Sequence, residues 1–530
     1  MSVADIETLV RRKGKAVARQ YCEENGICTP HTDRLLKKRQ CRSWSGVLVV
    51  TVVTRPDTFS CPFDCKYCPN EPGQPRSYLS SEPAVARANE NNFDAKDQVY
   101  SRLNMLRKNG HTLNKIEIIV LGGTFSTYPR AYQEEFLRDV FYAANTYGST
   151  RESCDPRERL SIAEEQRINE TAHYRVIGIS LETRPDLITH KELMRFRSLG
   201  CTRVQLGIQH TADSVLQRVN RGHDAYAGIK AIALLRYYGF KIDLHVMPDL
   251  PGSNPDMDKV MLRTILTSPD YSPDYLKIYP CLDVDFTEIR EWKKTGQWKP
   301  YAEENGGEQL YEVCMEAKIH SQYHIRYNRI QRDFPEAKPG VLGFESQAIK
   351  SNFRQLLLNR CEKAGIVCKC IRCREVKGKA LGAYRFFVDK YAAAVGTEYF
   401  ISCESRDRSV LYGFVRLRIA NETKHEAALV RELHVYGYLQ NPGERNSVGT
   451  QHNGIGKQLM KFAEAIAWVC AKQRVLVISG VGVREYYRKL GYTFEPDGQY
   501  MVKCSSGFVR AIWALFVYVI ATFNKNMLYT

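Results

Sequence analysis

Cys61-Pro-Phe-Asp-Cys65-Lys-Tyr-Cys68-Pro69 follows the apolar run Val47-Leu-Val-Val-Thr-Val-Val53. A strand delivering a Cys-x3-Cys-x2-Cys loop is the pattern from which the rest of the chain can be read. Three thiolates on a short loop can hold three irons of a four-iron cluster and leave the fourth iron open to a ligand. An open iron beside a bound sulfonium is what reductive cleavage of S-adenosylmethionine requires. The alternatives are a zinc loop or unrelated core cysteines. Zinc needs a fourth ligand and usually pairs of Cys-x2-Cys, and none lies near this loop.

Outward from the loop, apolar runs alternate with helical stretches from 46 to about 300. The runs are Val47–Val53, Ile116–Leu121, Val176–Leu181, Val204–Ile208, Ile242–Val246 and Leu276–Tyr279. Such alternation predicts parallel strands with crossover helices, hence a barrel of six βα units, partial or full. Barrel active sites lie at the C-terminal ends of strands. Polar residues that follow the runs are therefore candidates. Gly122-Gly123-Thr124 would let the backbone approach a ligand closely. In Glu182-Thr-Arg184-Pro-Asp186 the carboxylate of Glu182 suits ribose hydroxyls and the guanidinium of Arg184 a carboxylate. Gln205, Gln209, His210, the loop Asn220-Arg-Gly-His223, His245, Lys277 and Tyr279 fall at similar places. Taken singly, each is more often a satisfied structural group. Their recurrence at strand ends favours a site, and Lys277 and Tyr279 are expected to touch substrate.

Beyond 300 the pattern changes. Residues 301–380 read as a linker with helical pieces and the set Cys368-Lys-Cys370-Ile-Arg-Cys373, a compact group of soft ligands for a structural zinc. Cys361 is the nearest candidate for the fourth ligand, with Cys314, His320 and His324 as others; a metal-free cysteine turn is the alternative. Residues 381–504 read as a separate α/β unit. Within it Gln451-His-Asn-Gly454-Ile-Gly456-Lys457 lies between a strand-like run, Ala428–Val435, and a helical run. A glycine turn opening a helix presents free amides to a pyrophosphate. Its spacing matches the coenzyme A loop of the general acetyltransferase (GNAT) fold. Ile478-Ser-Gly-Val-Gly-Val483 and then Tyr486 and Tyr487 follow at the distance where that fold places a tyrosine able to protonate the departing thiolate. One of the two tyrosines is expected to be core packing instead.

Composition is consistent with these readings. The 530 residues are enough for roughly two to four domains, and a 44% hydrophobic content excludes a disordered chain. Lys plus Arg outnumber Asp plus Glu by 76 to 59, for a formal charge of +17. That excess favours a polyanionic partner such as nucleic acid. Residues 1–45 carry Arg11-Arg-Lys13, Lys15, Arg34, Lys37-Lys-Arg39 and Arg42, and Ile6, Leu9, Val10, Ala16 and Val17 predict a helix with one apolar edge. They form either a phosphate-gripping arm or a solvated surface. Charges at Asp5, Glu7 and Arg11–Lys13 interrupt any signal peptide. The 17 cysteines therefore read as free thiols and metal ligands in a reducing compartment, the cytoplasm. Residues 505–530 form an apolar tail whose Phe508–Phe523 reads as a membrane anchor or as a core or interface helix.

With these motifs in order, the chain resembles the family of the Elongator catalytic subunit, radical S-adenosylmethionine enzymes fused to an acetyltransferase domain. The resemblance covers about 46–504. It also rests on Tyr78-Leu-Ser-Ser-Glu82-Pro, Gly122-Gly-Thr-Phe125, Glu182-Thr-Arg-Pro-Asp186, Leu276-Lys-Ile-Tyr-Pro280, Arg329-Ile-Gln-Arg-Asp333, Arg431-Glu-Leu-His-Val-Tyr-Gly437 and Tyr486-Tyr-Arg-Lys-Leu-Gly-Tyr492. The tight cysteine spacing resembles the microbial form. The arm matches only in its basic character, and the tail extends past the family's usual end.

The resemblance implies an α/β architecture: a radical SAM partial (β/α)6 barrel followed by a GNAT-type domain. It implies a 4Fe-4S cluster on Cys61, Cys65 and Cys68, with S-adenosylmethionine and acetyl-CoA as cofactors and tRNA as substrate. The implied reaction forms 5-carboxymethyluridine at the wobble position. A deoxyadenosyl radical takes a hydrogen from the acetyl methyl, the carbon radical adds to the base, and water releases coenzyme A. Partner subunits of the Elongator type or a homodimer are further expectations. The competing reading is a protein lysine acetyltransferase, acting on histones or tubulin, with a structural iron–sulfur cluster; a third is a non-enzymatic RNA-binding scaffold.

Overall fold

A computed structural model of the chain describes residues 3–25, 36–37, 43–56, 61–148, 157–336, 343, 349, 352–377, 380–420, 427–437, 453–495 and 498–504. The apolar runs form strands as their β-branched content dictates. They are β1 (Leu48–Val53), β2 (Lys115–Leu121), β3 (Arg175–Thr183), β4 (Cys201–Gln209), β5 (Lys241–Val246) and β6 (Tyr275–Ile278). All pair in parallel in sequence order, and β1 makes no ladder with the last strand, so the barrel is partial.

The strand count corrects the expectation of six. A seventh strand, β7 (Arg326–Arg329), pairs in parallel with β6. It lies in the stretch read as a linker because Arg326-Tyr-Asn-Arg329 carries no apolar run. Its inward residue Asn328 instead bonds Asp243 of β5 at 2.8 Å. The helices between strands start at side-chain caps such as Asp94, Thr189, Asp224 and Asn254, each accepting a first-turn amide. Their apolar faces bury Leu103, Phe136, Phe196, Leu235 and Leu262 against the sheet.

The second unit is a seven-stranded sheet. Its strands are β8 (Tyr384–Ala392), β9 (Gly396–Ser405), β10 (Leu411–Ala420), β11 (Ala427–Val435), β12 (Arg474–Val477), β13 (Thr493–Phe494) and β14 (Met501–Cys504). The order is β13-β14-β12-β11-β10-β9-β8, antiparallel except for β11 beside β12. The helix Ile455–Val469 buries Ile455, Leu459, Met460, Ala463 and Ala467 on it. This three-to-four spacing gives the helix its apolar stripe.

The N-terminal basic stretch forms the helix Val3–Glu24, whose Ile6 packs with Ala18, Cys22 and Leu36, while Val17 of the expected apolar edge is exposed. The tail 505–530 lies outside the described residues, and among those described no helix is long and apolar enough to cross a membrane.

Candidate active site

The cysteine loop is fixed by one backbone and one side-chain hydrogen bond to the segment after the helix Asp213–Arg218. The Lys66 amide donates to the Val219 carbonyl at 3.0 Å, and Asn220 Nδ2 donates to the Asp64 carbonyl at 2.9 Å. Cys65 is buried, with Cys61 and Cys68 half-buried beside it. Burial pushes the Cys68 thiol up to about 11, so an uncompensated thiolate there is disfavoured and a metal would be needed to hold it charged. Cys61 Sγ lies 3.6 Å from Thr124 Oγ1. Two guanidiniums reach the middle thiol: Arg184 Nη1 lies 3.5 Å and Arg221 Nη1 3.4 Å from Cys65 Sγ.

The residues expected around a ligand here fall into two groups. Gly122 and Gly123 adopt φ of 133° and 86°. A Cβ on Gly122 would stand 1.8 Å from Thr54 Oγ1, and one on Gly123 2.9 Å from the Arg76 carbonyl. Only glycine fits at this strand end, and Gly123 presents bare backbone to the cavity, while the Gly122 carbonyl accepts the Tyr128 hydroxyl at 3.2 Å. Glu182 receives the Tyr78 hydroxyl at 2.7 Å. Burial raises its pKa, against the pull of Lys277. Lys277 is buried, donates to Gln205 Oε1, and is lowered by burial against Asp243 and Glu182.

Arg184, expected to meet a ligand carboxylate, is committed within the protein. Its Nε and Nη2 bind both oxygens of Asp186 at 3.0 Å, Nη2 also binds the Arg221 carbonyl, and Nη1 faces Cys65. In the sequence Arg221 and Arg332 stand out only within the stretches Asn220–His223 and Arg329–Asp333, without a role of their own. Arg332, 4.7 Å above the Tyr78 ring, bonds Glu82 at 3.0 Å. It thereby straps the segment after β7 to the segment before the helix Pro83–Glu90, across the open side of the barrel. The Arg329–Asp333 motif signalled its presence but not its partner.

In the second unit Gly454, at φ 82°, caps the helix Ile455–Val469 without a side-chain acceptor, so the first-turn amides are presented to a ligand. A Cβ on Gly456 would stand 2.8 Å from the Tyr486 hydroxyl, which places the turn and that phenol side by side. Tyr486 is half-buried, and burial pushes its hydroxyl up to about 12. Tyr487 belongs to the apolar core with Tyr492, which makes it the packing member of the pair. Lys457 is exposed on the first turn, and Gln451 lies outside the described residues.

A single cavity of about 1880 Å³ joins the two places. It is lined by Cys61, Cys65 and Cys68 at one end and by Gly454, Gly456 and Tyr486 at the other. Inward-facing residues of the strands line its middle: Lys115, Arg175 and Lys241 at the strand starts, Glu117, Arg203 and Asp243 next, then His245 and Lys277. Charged groups thus run along the cavity between apolar lining residues such as Val49, Ile119, Leu121 and Met247.

The linker cysteines form a separate centre. Among the described residues, only Cys368, Cys370 and Cys373 bring three metal-ligating atoms within 4.8 Å of one another. Ligands of one zinc stand roughly 3.8 Å apart at the usual Zn–S distance, so this triplet fits a single ion. The Cys61, Cys65 and Cys68 thiols stand wider, as ligands to three different irons must. Against burial, thiol hydrogen bonds from Cys368 and Cys373 hold Cys370 well below its ordinary value. Cys361, expected as a fourth ligand, is outside the triplet. It is buried in the helix Phe353–Lys363, packed into the barrel core.

Residues 56–265 match the family described as Radical SAM superfamily, and 273–363 match the Radical_SAM C-terminal domain. The chain is 40% identical over 502 residues to "tRNA uridine(34) acetyltransferase" of Methanocaldococcus infernus, covering 91% of this chain and 89% of that protein. It is 33% identical to "Elongator complex protein 3" of Schizosaccharomyces pombe (89% and 87% covered). To the protein of that name from Homo sapiens it is 34% identical (88% and 86%). The solved structure of the archaeal M. infernus Elp3 with an N-terminal deletion superposes with a TM-score of 0.72 at 37% identity, covering 87% of this chain and 100% of that one.

Proposed function

Because the chain belongs to the radical S-adenosylmethionine family of tRNA uridine(34) acetyltransferase and Elongator complex protein 3, we propose that it builds 5-carboxymethyluridine at the wobble position of tRNA from acetyl-CoA. The observation that carries this reading is the single cavity lined both by the cysteine loop and by the glycine turn with Tyr486. A lysine acetyltransferase has no use for a passage from its acyl donor to three cluster cysteines.

A 4Fe-4S cluster on Cys61, Cys65 and Cys68 supplies, when bound, one-electron reductive cleavage of S-adenosylmethionine. The protein's part is placement and proton control. Gly123 offers bare backbone at the cavity wall to the amino end of that cofactor, beside Gly122, whose carbonyl accepts the Tyr128 hydroxyl at 3.2 Å, and Glu182, held by Tyr78, accepts from its ribose. The amides after Gly454 hold the pyrophosphate of acetyl-CoA, with the dipole of the helix behind them. Tyr486 keeps its proton at neutral pH and gives it to the departing thiolate. Lys277, in the middle of the cavity, meets the substrate between the two. The cations Lys115, Arg175 and Lys241 on the cavity wall suit RNA phosphates, and the uridine must leave its stack to enter. Zinc on Cys368, Cys370 and Cys373 pins the segment joining the two units.

The test is tRNA-dependent consumption of acetyl-CoA by anaerobically reconstituted protein, with nucleoside mass spectrometry of the product. Metal analysis should return iron for one cubane and zinc equimolar with protein. Cys65→Ser should abolish the modified nucleoside and leave tRNA binding intact. Turnover stimulated by a lysine peptide and not by tRNA would reject the reading.

A further inference from the structure

We propose that Arg184 and Arg221 raise the reduction potential of the cluster held by the Cys61–Cys68 loop, by donating two N–H···S hydrogen bonds to one ligand sulfur, Cys65 Sγ. The proposal rests on the cluster reading above and deepens it.

The two donors come from different elements and converge on one atom. Arg184 follows β3 and Arg221 lies in the loop after the helix Asp213–Arg218, yet their Nη1 atoms stand 3.5 and 3.4 Å from the same sulfur. Both side chains are almost fully buried, at 2% and 6% exposure. Each guanidinium is fixed from behind. Arg184 is gripped by Asp186, by the Arg221 carbonyl at 2.6 Å and by the Phe63 ring, whose centroid lies 3.5 Å away. Arg221 Nη2 donates to the Gly207 carbonyl at 2.5 Å. The glycines beside them leave the room this needs. A Cβ on Gly222 would stand 3.4 Å from Arg184 Nη2, and one on Gly207 3.1 Å from Arg221 Nη2.

The charges of the two arginines differ in their compensation. Arg184 is paired with Asp186. Arg221 makes no ion pair with a carboxylate among the described residues, and its buried Nε has no hydrogen-bond partner. A buried, unpaired guanidinium is costly unless an anion faces it. The group it faces is Cys65 Sγ, which carries negative charge as an iron ligand.

Reduction of the cluster adds one electron from a low-potential one-electron donor, with no bond made or broken in that step. The added charge spreads onto the ligand sulfurs, so N–H donors and a nearby positive charge stabilise the reduced form more than the oxidised one. Both arginines are positioning residues, acting on the cluster through its ligand. Arg221 supplies net charge as well as a hydrogen bond, and Arg184 mainly the bond.

The test is an EPR-monitored redox titration of anaerobically reconstituted wild type, Arg221→Gln and Arg184→Gln. At a fixed poise, Arg221→Gln should lower the ratio of reduced to oxidised cluster at least tenfold, a shift of about 59 mV to more negative potential for one electron. Arg184→Gln should shift it in the same direction by less. Unchanged midpoints in variants that retain their iron overturn the proposal. Should a variant fail to hold iron, pulsed EPR of reduced wild type labelled with 15N-arginine decides instead. Guanidinium nitrogen couplings to the cluster support the proposal, and their absence overturns it. A wild type that takes up no iron–sulfur cluster would reject the cluster reading itself, which is a different result.

Discussion

At the scale of single residues, Tyr486, the proposed acid, shows what burial does to a phenol. Its hydroxyl sits against Gly456, where a Cβ would come within 2.8 Å, and burial lifts it to about 12. It therefore stays protonated at physiological pH. Tyr486→Phe should lower acetyl-CoA turnover by about 10²–10⁴-fold with the dissociation constant for coenzyme A little changed, as kinetics and calorimetry would show. Tyr487→Phe, altering a core contact, should affect thermal stability more than turnover. Equal losses of turnover in both variants would remove the acid role from Tyr486. The glycines and cysteines of both sites were legible in the sequence because their function depends on spacing along the chain. Arg221 was not, because its meaning comes from a sulfur 156 positions away. Arg184 was seen but assigned to a ligand, although Asp186 two residues on already pairs with it, and the second group it faces, Cys65, lies 119 positions away.

At the scale of elements, the turn Ser479–Val483 after β12 rests directly on the start of β3. The ladder between β2 and β3 skips Ile177, passing from Ile116 opposite Val176 to Glu117 opposite Gly178. The skipped residue forms a bulge. Its carbonyl faces Gly480, where a Cβ would stand only 2.0 Å away, and a Cβ on Gly482 would meet Arg175 Cβ at 2.6 Å. The neighbours are backbone and Cβ atoms, which cannot swing aside. The two glycines thus let the acetyltransferase turn dock on the barrel with no side chain between them. Gly480→Ala should cost about 1–3 kcal/mol through overpacking and push the two sites apart. Acetyl-CoA binding and cluster absorbance should survive, while tRNA-dependent turnover falls at least tenfold. Unimpaired coupled turnover would show that the seam has no part in aligning the sites. The six apolar strands could be read from their composition; β7 could not, because its inward residue pairs with a carboxylate and the strand carries no apolar run.

At the scale of the whole molecule, a buried ionic seam joins the two sheets. Asp274, just before β6, binds Arg431 of β11 through both oxygens at 2.6 and 2.8 Å, with Arg416 of β10 at 3.4 Å. Glu398 of β9 answers Arg236 from the barrel helix Ala225–Tyr237 at 3.1 Å and Arg431 at 3.0 Å, and Tyr275 of β6 donates to Glu432. None of this was legible, since the partners lie on different strands, most of them in the other unit, and a lone Asp or Arg in a sequence carries no address. Burial alone would raise these carboxyl groups, yet Arg431 and Arg416 hold Asp274 well below the carboxylate range, and Glu398 and Glu432 are lowered too. A carboxylate depressed in the folded state contributes stability above its unfolded pKa of about 4 and loses it as pH falls below that value. The unfolding temperature should therefore hold level from neutrality to about pH 5 and fall steeply below about pH 4. Asp274→Asn takes one of two carboxylates from each of Arg431 and Arg416, which keep Glu398 at 3.0 Å and Glu432 at 2.9 Å, so it should cost about 3 kcal/mol at neutral pH and flatten the acid limb, because the group whose protonation drives part of that loss is gone. Calorimetry of both proteins between pH 7 and pH 3.5 checks this. A variant that melts with wild type at pH 7 would mean that the seam contributes specificity of docking rather than stability. Limited proteolysis should then show the two units separating no faster than in the wild type.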